Sequence, residues 1–144
     1  MSLSISPLSS EDFPRWQELW DQNNLGQSKP EITKKTWNRL MNADKDVYGL
    51  GAYRDDGTLI AIMHYILHPV TGSLAPACYM QDLFTDPAYR GQGAARTLLH
   101  ALEKEHRKEK WARIYWIADM NNEAAQKLYQ SFGAHINFSF HVLI

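Results

Sequence analysis

The stretch Cys78-Tyr79-Met80-Gln81-Asp82-Leu83-Phe84-Thr85-Asp86-Pro87-Ala88-Tyr89-Arg90-Gly91-Gln92-Gly93-Ala94-Ala95-Arg96 decides how the rest of the chain is read. Residues 77–85 read as a buried strand. Ala94, Leu98, Leu99 and Leu102 then recur at helical spacing, so Gly91-Gln92-Gly93-Ala94-Ala95 opens a helix. Strand, turn and glycine-rich helix start together make an anion site. The first amides of a helix have no partner within it, and the aligned peptide dipoles put partial positive charge there. Gly91 and Gly93 remove side chains that would hold a phosphate off the backbone, and Ala94 and Ala95 stay small. Arg90 and Arg96 add formal positive charge beside the amides.

Two common phosphate motifs do not fit. A P-loop needs Gly-Lys-Ser/Thr, whereas Gly93 is followed by Ala94-Ala95-Arg96-Thr97. A dinucleotide fingerprint needs a third glycine on the first strand–helix turn, whereas this loop ends in Arg96 and lies past mid-chain. The option left is a diphosphate on a long acyl-carrying arm, acyl-coenzyme A.

Working outward, residues 3–6 alternate with period two and read as a short strand. Ser9-Ser10-Glu11-Asp12 supplies caps and early carboxylates for a helix over roughly 10–24, with Trp16, Leu19 and Trp20 on one face and Gly26 at its end. Pro30-Glu31 opens a second helix with Ile32, Trp37, Leu40 and Met41 on one side. Residues 47–53 and 59–67 are strands around the hairpin signal Asp55-Asp56-Gly57-Thr58. After the long helix come a strand over 113–119, a helix over 122–132 stopped by Gly133, and a last alternating strand over 136–144. The order β-α-α-β-β-β-α-β-α-β gives a mixed central sheet with helices on both faces, an α/β (α+β, three-layer) fold in one domain spanning 1–144.

Composition agrees. The chain has 144 residues, 44% apolar and 22% charged, with a net charge of −1. That is ordinary for one globular domain and gives no global drive toward nucleic acid or an anionic membrane. The single cysteine, Cys78, excludes intramolecular disulfides and cysteine-based zinc clusters. No apolar run approaches the ~18 residues of a spanning helix. The start lacks a charged region and a long apolar core, so no secretory signal is expected and the default compartment is the cytoplasm. Trp16, Trp20 and Trp37 read as core, Cys78 as a buried small apolar residue, and His64 and His68 as structural, since nothing pairs them at a metal spacing. An apolar last strand would leave an exposed edge, which points to a homodimer.

Two motifs carry a family resemblance. Arg90-Gly91-Gln92-Gly93-Ala94-Ala95 resembles the R/Q-x-x-G-x-G/A diphosphate loop of the GNAT N-acetyltransferases, and Asn122-Glu123-Ala124-Ala125-Gln126-Lys127-Leu128-Tyr129-Gln130-Ser131-Phe132-Gly133 resembles their N-x-x-A-x-x-L-Y-x-x-x-G signature. The likeness covers roughly 47–144. Tyr79–Pro87 and Ile114-Tyr115-Trp116 further resemble the histone/polyamine branch, and spermidine/spermine acetyltransferases are similar.

The resemblance implies acetyl-CoA as cosubstrate, no metal, and a small or protein-borne primary amine as acceptor, with neither nucleic acid nor membrane as partner. The pantetheine arm falls on Leu83, Phe84 and Thr85, and the diphosphate on Arg90, Gly91, Gln92, Gly93, Ala94, Ala95 and Arg96. Asn122 and Ala125 lie by the pantetheine, and Tyr129 lies near the sulfur. An amine attacking a thioester must lose a proton, because an alkylammonium (pKa ~10.4) has no lone pair. The developing oxyanion needs a donor, for which the Phe84 amide is suited, and the leaving thiolate needs one too, the role of Tyr129. In the spermidine/spermine enzymes a glutamate on this strand is the base. Here that position is Gln81, which cannot take a proton, leaving Asp82, His64, Tyr79 or a water chain. Asp21, Glu31, Asp44, Asp46 and Asp82 are the carboxylates available to a polyamine-like acceptor. The missing glutamate also leaves open a non-catalytic acyl-CoA-binding module on the same fold.

Overall fold

The computed structural model describes residues 2–42, 45–134 and 141–143. Its elements follow the expected order. They are β1 (Ser4–Pro7), α1 (Phe13–Asn23), α2 (Pro30–Met41), β2 (Val47–Tyr53), β3 (Leu59–His68), β4 (Ala77–Thr85), α3 (Ala94–Glu109), β5 (Ile114–Tyr115) and α4 (Glu123–Ser131). The sheet order is β1-β2-β3-β4-β5, antiparallel throughout except for the parallel β4–β5 pair. Pro7 ends the outermost strand, where its missing N–H leaves no gap in a ladder. The β2–β3 turn closes as expected. The Gly57 amide donates to the Arg54 carbonyl, and the Thr58 amide donates to Asp56 Oδ1.

Each sheet face has its own core. On one side α3 lays Ala94, Leu98, Leu99 and Leu102, the four positions expected from spacing, over Ala61, Met63, Cys78 and Met80, with Leu128 of α4 and Phe132 just after it beside them. On the other side Trp16 and Leu19 of α1 cover Leu59 and Ile62, with Trp20, Trp37 and Leu40 packed around them. Arg15 fixes α1 to the end of β4. Its Nε donates to the Leu59 carbonyl, and its NH2 group pairs with Asp86.

Three expectations change. The first turn of the predicted 10–24 helix is a separate 3-10 turn over Ser10–Asp12. The buried stripe of α2 runs through Thr33, Trp37 and Leu40, while Ile32 and Met41 face water. Thr33 is buried because its hydroxyl accepts from Trp20 Nε1 at 2.9 Å. The predicted strand over 113–119 is paired only at Ile114–Tyr115, for a reason that lies in the site. The predicted last strand over 136–144 lies outside the described residues, apart from the exposed His141, Val142 and Leu143.

Candidate active site

The site begins where β4 and β5 part. They are in register only at Cys78↔Ile114 and Tyr79↔Tyr115. Two residues later β4 carries a bulge. His64 of β3 faces Asp82 and Tyr65 faces Met80, so Gln81 has no partner across the ladder. A bulge adds one residue, bends the strand and raises its local twist. Beyond it β4 stays with β3 and leaves β5, opening a cleft of about 210 Å³ between the strands and α4. Asp82, Leu83, Asp119, Asn122, Ala125 and Tyr129 are among its lining residues.

The bulge also reverses which side chains face which layer. Before it, Cys78 and Met80 point into the α3 core. After it Leu83 takes that direction, while Phe84 joins the α1 core. Asp82 turns with Phe84 toward α1. Its Oδ2 lies 2.9 Å from His64 Nδ1, and its Oδ1 accepts from Asn23 Nδ2 at 3.2 Å. Simple alternation without the bulge would have put Asp82 on the α3 side with Met80.

The ladder fixes the amides in the same way. The Asp86 amide donates to the Ile60 carbonyl of β3. Donors alternate along an antiparallel strand, so Phe84, opposite Ile62, also points its amide at β3. Leu83 and Thr85 present theirs to the open side. The Phe84 amide expected from sequence is therefore committed to the sheet, and among the described residues the donors left without a ladder partner are those of its two neighbours.

The glycine-rich loop sits at the end of β4. Gly91 (φ +81°) and Gly93 (φ +83°) are both left-handed, and Gly93 caps α3. Consecutive turns of this kind aim backbone amides outward into one concavity, a geometry that favours anions. Gly91, Gln92 and Gly93 are exposed, and Ala94 is buried beneath them. The two arginines are turned along the protein. Arg90 Nε donates to the Thr85 carbonyl at 3.3 Å, its guanidinium over the Phe84 ring. Arg96 donates to Ser131 Oγ at 3.1 Å and stacks on Phe132, joining the start of α3 to the end of α4.

α4 supplies the opposite wall. Asn122 caps it, its Oδ1 accepting from the Ala125 amide at 3.2 Å. Tyr129 lies two turns on, with its ring 4.9 Å from that of Trp116. Among the described residues its hydroxyl has no hydrogen-bond partner. Burial pushes the Tyr129 phenol above its ordinary range, so it holds its proton at neutral pH.

Sequence reasoning placed Asp82, Leu83, Asn122, Ala125 and Tyr129, and all five line the cleft. It missed Asn23 and Asp119, which carry no local signal and arrive only by folding. Of the five carboxylates considered for an acceptor, Asp82 lines the cleft and Asp44 lies outside the described residues. Asp119 joins Asp82 there, its Oδ1 accepting from the Asn121 amide at 2.8 Å. No cluster of three metal-ligating side chains occurs among the described residues, and no helix there is long and apolar enough to cross a membrane.

Comparison with known proteins places this architecture. Residues 8–134 match the acetyltransferase (GNAT) family. The chain belongs to that family and is an acetyl-CoA-dependent N-acetyltransferase. The D-amino-acid N-acetyltransferase HPA3 of Saccharomyces cerevisiae (strain ATCC 204508 / S288c) is 25% identical over 129 residues, covering 87% of this chain and 80% of the relative. In fold the chain is similar to the ribosomal-protein-alanine N-acetyltransferase of Brucella melitensis biovar Abortus 2308 (TM-score 0.81, 22% identity, 99% of each chain). It is likewise similar to the aminoglycoside N-acetyltransferase AAC(6')-Iy in complex with CoA (TM-score 0.83, 18% identity, 99% of this chain and 94% of that one).

Proposed function

We propose that the chain acetylates the primary amine of a small, cationic, polyamine-like acceptor, as the histone/polyamine branch would. The observation that carries this reading is the pair of carboxylates, Asp82 and Asp119, that line the cleft. Two carboxylates beside the place where the thioester would arrive favour an alkylammonium over a neutral or anionic acceptor.

The residues fit the cosubstrate. Outward-facing amides between Gly91 and Ala94 suit a diphosphate, and the unpaired edge of β4 at Leu83 and Thr85 suits the amide groups of a pantetheine arm. Asn122 and Ala125 line the far side of that path. When bound, acetyl-CoA supplies an acyl carbon activated by its thioester. Asp82 takes the proton that the acceptor's ammonium must shed, directly or through one water, leaving a lone pair on nitrogen. The Leu83 amide, in place of Phe84, donates to the oxygen on which charge develops. The N–C bond forms as the C–S bond breaks, and the Tyr129 hydroxyl donates its proton to the departing sulfur. Solvent restores the Tyr129 proton and removes the one on Asp82.

The test is an acetyl-transfer screen that follows free thiol release over polyamines, D- and L-amino acids, aminoglycosides and lysine peptides. The highest kcat/KM is expected for a small di- or polyamine. Turnover confined to lysine peptides, or to amino acids bearing a free carboxylate, would overturn the acceptor assignment.

A further inference from the structure

The mechanism above uses Asp82 but not the buried chain behind it. Trp16 Nε1 lies 3.0 Å from His64 Nε2, and His64 Nδ1 lies 2.9 Å from Asp82 Oδ2. An indole nitrogen can only donate. His64 Nε2 must therefore be the accepting nitrogen, and the ring's proton is on Nδ1, pointed at Asp82. Both neighbours demand the same tautomer, since the indole on α1 can only donate and the carboxylate on β4 can only accept.

Every member of the chain is held. Trp16 is fully buried, stacked on Trp20 at 5.4 Å and packed on Trp37 at 4.8 Å, so its N–H cannot swing away. The His64 side chain is 3% exposed, whereas that of Asp82 is 20% exposed toward the cleft. His64 and Asp82 are direct partners across the β3–β4 ladder, and the bulge at Gln81 puts them on the same face. Asn23 holds the other carboxylate oxygen from α1. Each oxygen of Asp82 thus receives one protein donor, and its remaining lone pairs are left for the cleft.

We propose that His64, anchored through Nε2 by the Trp16 indole, is the positioning residue that orients the Asp82 carboxylate for proton removal from the acceptor. The inference rests on Asp82 being the base. It assigns a function to a histidine that sequence alone reads as structural, and it explains why a base works one position along from Gln81. A similar division of labour, in which a buried partner fixes orientation and tautomer while its neighbour handles the proton, recurs wherever acid–base groups act in pairs.

The test uses the full chain labelled with 15N-histidine, together with steady-state kinetics on the best amine from the screen. Two-bond 15N–1H correlation is expected to show His64 with its proton on Nδ1, the signal being assigned by its loss in His64→Asn. His64→Leu removes the donor and is expected to lower kcat at least ~10-fold, with KM for acetyl-CoA unchanged. His64→Asn, whose amide nitrogen can stand where Nδ1 stood, should recover most of that loss. Trp16→Phe keeps a ring in the stack but drops the N–H. The acceptor-only carboxylate still keeps the proton on Nδ1, but Nε2 loses its anchor and the ring is free to turn. So kcat should fall with KM for acetyl-CoA unchanged, which reads the same link if His64→Leu does not fold. A wild-type proton on Nε2, or full kcat in His64→Leu (in Trp16→Phe if His64→Leu does not fold) while Asp82→Asn is inactive, would overturn the positioning role and leave the base intact. Full activity of Asp82→Asn would overturn both.

Discussion

The Tyr129 hydroxyl combines two properties that a proton donor to sulfur needs. It is free of protein partners among the described residues, and burial keeps it protonated. Tyr129→Phe should lower kcat by ~10–100-fold while leaving KM for acetyl-CoA within about twofold, since the ring's packing on Trp116 survives. The pH sign follows from burial, which favours the neutral phenol and raises it above the ordinary 10.0. The donor and the stability linked to it are complete below that ordinary value, and both fade as pH rises through the higher folded-state value. Wild-type kcat should therefore show no fall from this group below about pH 10. An acid–base titration of kcat checks it, and a Tyr129→Phe enzyme with unchanged kcat removes the residue from the mechanism. Tyr129 was legible in the sequence because its motif is local. His64 was not, because its meaning depends on partners 48 residues before it and 18 after it, Trp16 and Asp82.

At the level of elements, periodicity located nearly every helix and strand, because each buries one face against the sheet and must repeat accordingly. Two departures share one origin. The bulge at Gln81 is marked by no glycine or proline, and β5 shortens to two residues because β4 turns away from it there. The amides that face away from the β3 ladder fall on Leu83 and Thr85 in place of Phe84 for the same reason. One inserted residue changes the phase of everything after it. The glycine loop is the opposite case, where residue type alone dictates geometry. Gly93→Ala meets no atom within 4 Å, so its penalty is purely the left-handed backbone, about 1–2 kcal/mol. KM for acetyl-CoA should rise about tenfold, a factor worth about 1.4 kcal/mol, as the amides relax out of line. Gly26→Ala, at φ +72° beyond the end of α1, is the control. It should show a similar stability loss by urea denaturation and an unchanged KM. Equal effects of the two on KM would separate the loop from the cosubstrate.

Over the whole molecule helices cover both faces of the sheet, while among the described residues β4 and β5 pair only as far as Tyr79 and Tyr115. α3 and α4 hold one face and α1 and α2 the other, and Arg96 and Ser131 tie the start of α3 to the end of α4. A ligand lying in the gap between β4 and β5 would touch β4, the α3 N-terminus and α4 at once. Binding to the folded state alone should therefore raise global stability by mass action. At a hundredfold excess over Kd the gain is about 2.7 kcal/mol. At ~2–4 °C per kcal/mol for a domain near this size, Tm should rise by roughly 5–10 °C with acetyl-CoA. Dephospho-CoA should retain most of the shift if the amides between Gly91 and Ala94 address the diphosphate, as proposed. Pantetheine alone, without the diphosphate, should lose most of it. Gly93→Ala should flatten the acetyl-CoA response and leave the pantetheine response as it was. A melting curve that pantetheine moves as far as acetyl-CoA would place the binding free energy in the splayed strands and take the loop out of the account.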